Sequence, residues 1–308
     1  MKRGAIGCLA LVLILVAIVL VTAGPPGPLA TPAGSFAFAA LGDAPYYEWE
    51  ELRFRTVLRD LEQHDLASVI HVGDIFWRPC TDEHYRLAFE RLDRLRHPVV
   101  YTPGDNEWTD CWEPGSGAFE PLERLASLRR IFFARAPELA GFERQTEYVE
   151  NARWQQQGVT FATLHLTGSR NGTGRTPEED RAASARLEAT TAWMRETFAQ
   201  ASDAPAVVLA FHAAIPLGQP KGKQWRPTYD SFIAALEEET ARYGKPVLVI
   251  HGDHHEYRVD HPLPRLPNLT RLEVPGSPDV GWVHVVVMPR VTSPFTFSKR
   301  VVPRWKYW

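Results

Sequence analysis

The sequence predicts an α/β fold built on a largely parallel sheet. Three observations predict it. Short apolar runs alternate with stretches of helical periodicity along most of the chain. The helical stretches lie between successive apolar runs, where parallel strands need a crossover. The final third holds more apolar runs than helices, so part of the sheet is expected to be antiparallel.

The elements begin with a segment set apart from the rest. Met1-Lys2-Arg3 is a basic start, an apolar run follows from Ala5 to Ala23, and Gly24-Pro25-Pro26 breaks any helix. That order defines an export signal. The run is also close to the about 20 residues that span a bilayer, so residues 1–23 are expected to be either a cleaved signal or an anchor through residues 5–23. Lys2 and Arg3 stay on the cytoplasmic side in both cases, which puts the main domain outside the cytoplasm, periplasmic or secreted. A membrane is a partner only if the segment stays uncleaved. Residues 24–34, mostly Pro, Gly, Ala and Thr, read as a linker, and residues 35–308 as the functional domain. The 308 residues are 44% hydrophobic and 23% charged, an ordinary globular composition. Net charge is −3 with no basic stretch, so no nucleic-acid partner is expected.

Within the domain, strands are expected at residues 35–41, 68–72, 98–101, 159–166, 206–211, 246–250, 269–274 and 282–288. Helices are expected at 48–64, 82–96, 119–134, 177–201 and 229–243. Leu52, Val57, Leu58 and Leu61 give the first helix an apolar face. Tyr85, Leu87, Phe89, Leu92 and Leu95 do the same for the second.

The residues that follow the strands carry the chemistry. Gly42-Asp43, Gly73-Asp74, Gly104-Asp105, His212 and Gly252-Asp253-His254-His255 each come directly after an apolar run. In an open α/β sheet, ligands bind beyond the carboxyl ends of the strands. Glycine there permits a tight turn and close backbone approach. Several Asp and His converging in one crevice repel each other unless cations compensate them. Two cations bridged by a carboxylate are a recurring arrangement for hydrolysing phosphate esters.

In order and spacing, these motifs resemble the calcineurin-like metallophosphoesterase family from Gly42 to about Arg258. The resemblance implies a two-sheet sandwich flanked by helices (α/β/β/α). It also implies hydrolysis of phosphate mono- or diesters by a metal-bound hydroxide at a two-metal centre. By the same resemblance, Asp43 and His255 hold the first metal, Asp74 bridges, and Asp105 and His212 hold the second. The sequence departs from the family pattern at three places. Pro45 stands where a metal-binding His is usual, Asp253 stands for the first His of Gly-His-x-His, and Asn106 stands for a His that assists catalysis.

The expected metal set is therefore Asp43, Asp74, Asp105, His212, Asp253 and His255. It is rich in carboxylate, which favours Mn, Fe, Mg or Ca over thiolate-seeking ions, with Zn still open. Tyr46, Tyr47, His254 or water are the donors available in place of the missing His, and the first site is expected to bind more weakly than the second. Asn106 is expected to hydrogen-bond a phosphate oxygen. His254 or His71 would protonate the leaving group, with His71 equally readable as strand packing. Loss of the usual His positions keeps a second class alive, a degenerate relative that binds metal or a phosphorylated ligand without turnover. A third is an envelope scaffold.

Four smaller readings complete the analysis. Cys8 reads as packing in the apolar run. Cys80 and Cys111 each follow a strand-end Asp by six residues, so a disulfide across adjacent loops is expected to brace the pocket rim. Trp77, Trp108 and Trp112 would line a pocket or pack the rim, and Arg170 is a candidate phosphate contact. Asn171-Gly172-Thr173 and Asn268-Leu269-Thr270 match glycosylation acceptors.

Overall fold

The computed structural model describes residues 27–219 and 227–303. The chain divides into two units, residues 1–30 and 31–308, and every element below lies in the second. The export segment expected at residues 1–23, Cys8 included, lies outside the described residues, as do the first linker residues 24–26. Among the described residues no helix is long and apolar enough to cross a membrane.

Two sheets form the centre. The first runs β12 (Phe295–Val301), β11 (Gly281–Val287), β1 (Phe36–Leu41), β2 (Val69–His71), β3 (Val99–Tyr101). The second runs β4 (Glu143–Arg144), β5 (Ala152–Gln156), β6 (Val159–Thr163), β7 (Val207–Ala210), β8 (Val247–His251), β10 (Leu269–Glu273), β9 (Arg258–Asp260). β1, β2 and β3 are parallel, as are β6, β7, β8 and β10. The other pairs are antiparallel, including β9, β11 and β12 in the final third, as expected. Five longer helices cover the outer faces: α1 (Glu48–Leu61), α2 (Asp82–Asp93), α3 (Pro121–Phe132), α4 (Pro177–Gln200) and α5 (Asp230–Tyr243).

Side-chain alternation explains the layering. Phe36, Phe38 and Ala40 of β1 enter the core between the sheets with Trp154, Phe161, Val208 and Ile250. Ala37, Ala39 and Leu41 point the other way, onto Phe54, Leu61, Tyr85 and Leu128 of α1 to α3. In the second sheet Val207 and Leu209 meet Met194 and Phe198 of α4 and Phe232 and Leu236 of α5. Central strands are thus buried on both faces, which is why they read as continuous apolar runs. The architecture is the α/β/β/α sandwich. Register brings Leu41 opposite His71 and His71 opposite Tyr101, so β1, β2 and β3 end level.

Sequence periodicity failed in specific places. Leu52 is 62% exposed and Leu87 is 50% exposed, so neither belongs to its helix's buried face. In α1 the phase is set instead by Phe54, Val57 and Leu61 together with buried Glu50, Arg53 and Asp60. Each of these charged side chains has an internal partner. Glu50 takes the Tyr46 amide and the Ser277 hydroxyl, Arg53 donates to the Pro278 and Val302 carbonyls, and Asp60 pairs with Arg300. Strands β4, β5, β9 and β12 were not expected. They carry polar residues at a sheet edge or next to one, so they lack the apolar run that marks a buried strand.

Candidate metal centre

Six predicted ligands come from five strand ends. Asp43, Asp74 and Asp105 follow β1, β2 and β3, His212 follows β7, and Asp253 and His255 follow β8. The backbone there is unusual. Asp43, Asp74, Asp253 and His255 hold φ of 55°, 54°, 78° and 65°, a left-handed conformation that side-chain-bearing residues seldom adopt. Such strain persists where surrounding structure over-determines it, and it clusters at functional sites. The glycines answer a packing demand. A Cβ on Gly104 would lie 2.0 Å from Asp74 Oδ1, and one on Gly252 would lie 2.1 Å from Asp43 Oδ2. Neither position admits a side chain without displacing a carboxylate.

Two groups of ligand atoms result, one formed by Asp43, Asp74 and His255 and the other by Asp74, Asp105 and His212, with atoms in each within 4.8 Å of one another. Asp74 is common to both. In the second group His212 Nε2 lies 2.8 Å from Asp105 Oδ1 and 3.5 Å from Asp74 Oδ1. Its Nδ1 meets the Val72 carbonyl oxygen at 2.8 Å, which fixes the ring. The Ser169 hydroxyl donates to Asp105 Oδ2 at 2.8 Å. In the first group His255 Nδ1 lies 2.7 Å from the Ser277 carbonyl oxygen, turning Nε2 toward Asp43 Oδ1 at 3.7 Å.

Asp253 belongs to neither three-residue group. Its amide donates to Asp43 Oδ1 at 2.9 Å and its Oδ2 accepts from the Ala214 amide at 2.8 Å. Oδ1 lies 3.8 Å from His212 Nε2, on the side of the second group. The Asn106 amide donates to Asp74 Oδ1 at 3.2 Å, and its side chain is half-buried. His254 is exposed and shares no hydrogen bond or ion pair with the cluster among the described residues. His71 is fully buried in β2, and burial with the nearby His212 pushes its pKa down to about 3.

The electrostatics state what the cluster lacks. Burial pushes Asp43 up to about 8 and raises Asp74 well above the carboxylate range. Burial also opposes charge on Asp105, but the hydrogen bond and charge of His212 outweigh it and hold Asp105 low. For His212, burial opposes charge and the carboxylates of Asp74, Asp105 and Asp253 overcome it. His212 thus stands among four carboxyl groups, two of which burial makes costly to ionise without further positive charge. Asp43 Oδ2 is buried with no hydrogen-bond partner among the described residues. A buried carboxyl oxygen without a partner in such a cluster, among oxygen and imidazole donors and with its ionisation opposed by burial, fits a bound divalent cation.

Sequence reasoning missed several supporting residues. Glu107 is buried and clamps two site loops, accepting from the Ile75 amide at 2.5 Å and the Gly104 amide at 2.9 Å. Ser169, which orients Asp105, sits in a left-handed turn with φ of 44°, 55° and 57° at Ser169, Arg170 and Asn171. Only its place after a strand hinted at a role. The Cys80–Cys111 disulfide is present, with Cα atoms 5.7 Å apart. Both cysteines are fully buried, with sulfurs 3.4 and 3.8 Å from the Asn106 carbonyl oxygen, so the bond supports the Asp105 loop from beneath rather than from the rim. Trp108 is likewise buried, against His165 and Arg186, while Trp77 and Trp112 are exposed. Asn171 is buried and Asn268 Nδ2 donates to the Thr240 and Lys245 carbonyls, so neither glycosylation acceptor is a free surface amide.

No curated protein matches the chain. Among solved structures, phosphopantetheinyl hydrolase from Mycobacterium tuberculosis is similar at 18% identity, over 80% of this chain and 91% of that one, with a TM-score of 0.48. A Thermus thermophilus protein matches at 13% identity over 86% and 99%, with a TM-score of 0.45. A 5'-nucleotidase from Candida albicans matches at 13% identity over 89% of this chain and 52% of that one, with a TM-score of 0.47. The family model for calcineurin-like phosphoesterases matches residues 38–257, the span from β1 to just past His255. The chain belongs to the calcineurin-like phosphoesterase family and is a metal-dependent phosphoester hydrolase.

Proposed function

We propose that the protein hydrolyses phosphate mono- or diesters outside the cytoplasm, at a centre of two ions that share Asp74. One observation carries the reading: Asp74 is the member common to both ligand groups. Asp43 and His255 would complete the first site, and Asp105 and His212 the second, with Asp253 turned toward the second. Bound divalent ions would supply Lewis acidity toward phosphoryl oxygens and lower the pKa of a water.

The chain's own residues hold this arrangement. His212, tied to the Val72 carbonyl, keeps Asp105 fixed. Asn106, half-buried with its backbone amide on Asp74, would donate a side-chain hydrogen bond to a phosphate oxygen. His254 enters as proton donor to the leaving group, since a group exposed in the free protein can come within reach when substrate binds. A pocket of about 350 Å³ beside the second group, lined by Trp108, Asp110, Trp112, Ser169, Arg170 and Arg186, is the proposed seat of the organic part of the substrate. The extracytoplasmic location rests on the basic start and apolar run of residues 1–23, with the disulfide compatible with an oxidising compartment.

Hydrolysis of an aryl phosphate by chelator-treated protein, with Mn restored, tests the reading. Activity should return with the metal, and Asp74→Asn should lower it by roughly 10³-fold or more, beyond the loss of a single oxyanion donor. Metal binding without turnover in the wild type would favour the degenerate relative instead.

A further inference from the structure

We propose that the Tyr46 hydroxyl oxygen is the fourth protein donor to the first ion, in the place left open by Pro45. The inference rests on the two-ion reading above and adds a ligand to it.

The geometry singles out this residue. Tyr46 is 4% exposed, and its hydroxyl lies 2.5 Å from Asp74 Oδ2 and 3.2 Å from His255 Nε2. Those are two of the three members of the first group. The third, Asp43, has its buried Oδ2 without a hydrogen-bond partner among the described residues. The ring is held edge-on by His255 at 5.1 Å and Trp77 at 5.7 Å, and the Tyr46 amide donates to Glu50 Oε2 at 2.7 Å. The hydroxyl therefore has a set position. The rival donors are turned away: Tyr47 is 50% exposed and stacked on Trp49, and His254 is exposed.

With no ion counted, the short contact to Asp74 is a hydrogen bond. An ion held by Asp43, Asp74 and His255 would have the same oxygen within reach as a donor, its proton released to solvent on binding. The site becomes two carboxylates, one phenolate and one imidazole, a hard donor set suited to a strongly charged cation. The expectation of a weak first site rested on a missing donor, and Tyr46 supplies one.

Ferric ion is the probe, because a phenolate bound to it gives a visible charge-transfer band whatever ion is native. The full chain is stripped with chelator, loaded with ferric ion, and its visible and resonance Raman spectra are recorded. Tyr46→Phe, Tyr47→Phe and Asp105→Asn are treated alike. We expect the band and enhanced phenolate modes in the wild type, Tyr47→Phe and Asp105→Asn. Tyr46→Phe should be colourless and bind first-site iron at least roughly tenfold more weakly. A wild type that holds iron without the band overturns the role of Tyr46 and leaves the two-ion centre standing, and needs no variant to read. Colour that survives in Tyr46→Phe overturns it equally. A wild type that holds neither ferric ion nor Mn overturns the metal centre and Tyr46 together.

Discussion

The two ligand groups share one carboxylate but are built on opposite plans. The second is closed: His212 is fully buried, bonded to Asp105 at 2.8 Å and fixed by the Val72 carbonyl. Its own imidazolium stands in for part of the missing cation charge. The first is more open: the His255 side chain is 27% exposed, Asp43 Oδ2 has no hydrogen-bond partner among the described residues, and the Tyr46 hydroxyl lies 2.5 Å from Asp74 Oδ2. On the proposed role of Tyr46, the difference teaches that a variant ligand set can be assembled by two routes, internal charge balance on one side and a substituted donor on the other.

The largest expected break in that comparison comes from removing one imidazole at a time. In metal-free protein, His212→Gln leaves the buried Asp74 and Asp105 and the half-buried Asp253 without their cation, which should cost about 3–5 kcal/mol. His255→Gln removes a half-exposed ring with one firm hydrogen bond, worth about 1 kcal/mol. Urea unfolding in the presence of chelator measures both. Equal losses would mean that His212 carries no special charge burden.

The disulfide sharpens the comparison from another side. Its sulfurs underlie the Asn106 carbonyl in the loop of Asp105, which belongs to the second group alone. Replacing Cys80 and Cys111 by Ser should lower stability by about 2–4 kcal/mol. It should also weaken the second ion's binding more than the first's. Calorimetric melting and metal titration check the two parts, and equal weakening of both ions would refute the assigned side.

What the sequence made legible follows the same divide. The strand-end Asp and His were legible because a buried parallel strand announces itself as an apolar run, and the residue after its glycine has few places to point. The shared role of Asp74 came through family resemblance alone; the fold adds that Asp74 is common to both ligand groups. Tyr46 was one of several donors in sequence, since choosing it over Tyr47 and His254 needs the ring's orientation. Ser169 was illegible, because its position depends on three left-handed residues that no composition specifies. Leu52 misled because buried charges with internal partners set the helix phase in α1, and periodicity counts only apolar residues; Leu87 misled because the buried face of α2 is Tyr85, Ala88 and Leu92, one position away. Polar edge strands such as β9 and β12 escaped for the matching reason, having few apolar residues to count.

The smallest expected effect contrasts His212 with another fully buried histidine beside a carboxylate. His165 Nδ1 lies 3.4 Å from Glu150 Oε2, yet burial pushes its pKa down to about 4 despite the pull of Glu150. The reason lies in the partner. Glu150 is already held by the Arg129 guanidinium at 2.6 and 3.0 Å, so it has less need of a second cation. Among the described residues no arginine pairs with Asp74, Asp105 or Asp253, and the imidazole of His212 supplies the charge there. The linkage sign follows from a folded pKa below the unfolded value of about 6.5. Between those values the unfolded chain binds a proton that folded His165 refuses, so stability is lost as pH falls from 6.5 toward 4. The slope is at most about 1.4 kcal/mol per pH unit. His165→Gln, with Glu150 still paired to Arg129, should remove that portion of the slope when unfolding is followed across the window. An unchanged slope would mean that His165 is protonated in the fold, and that a buried histidine here takes a proton with or without an arginine on its partner.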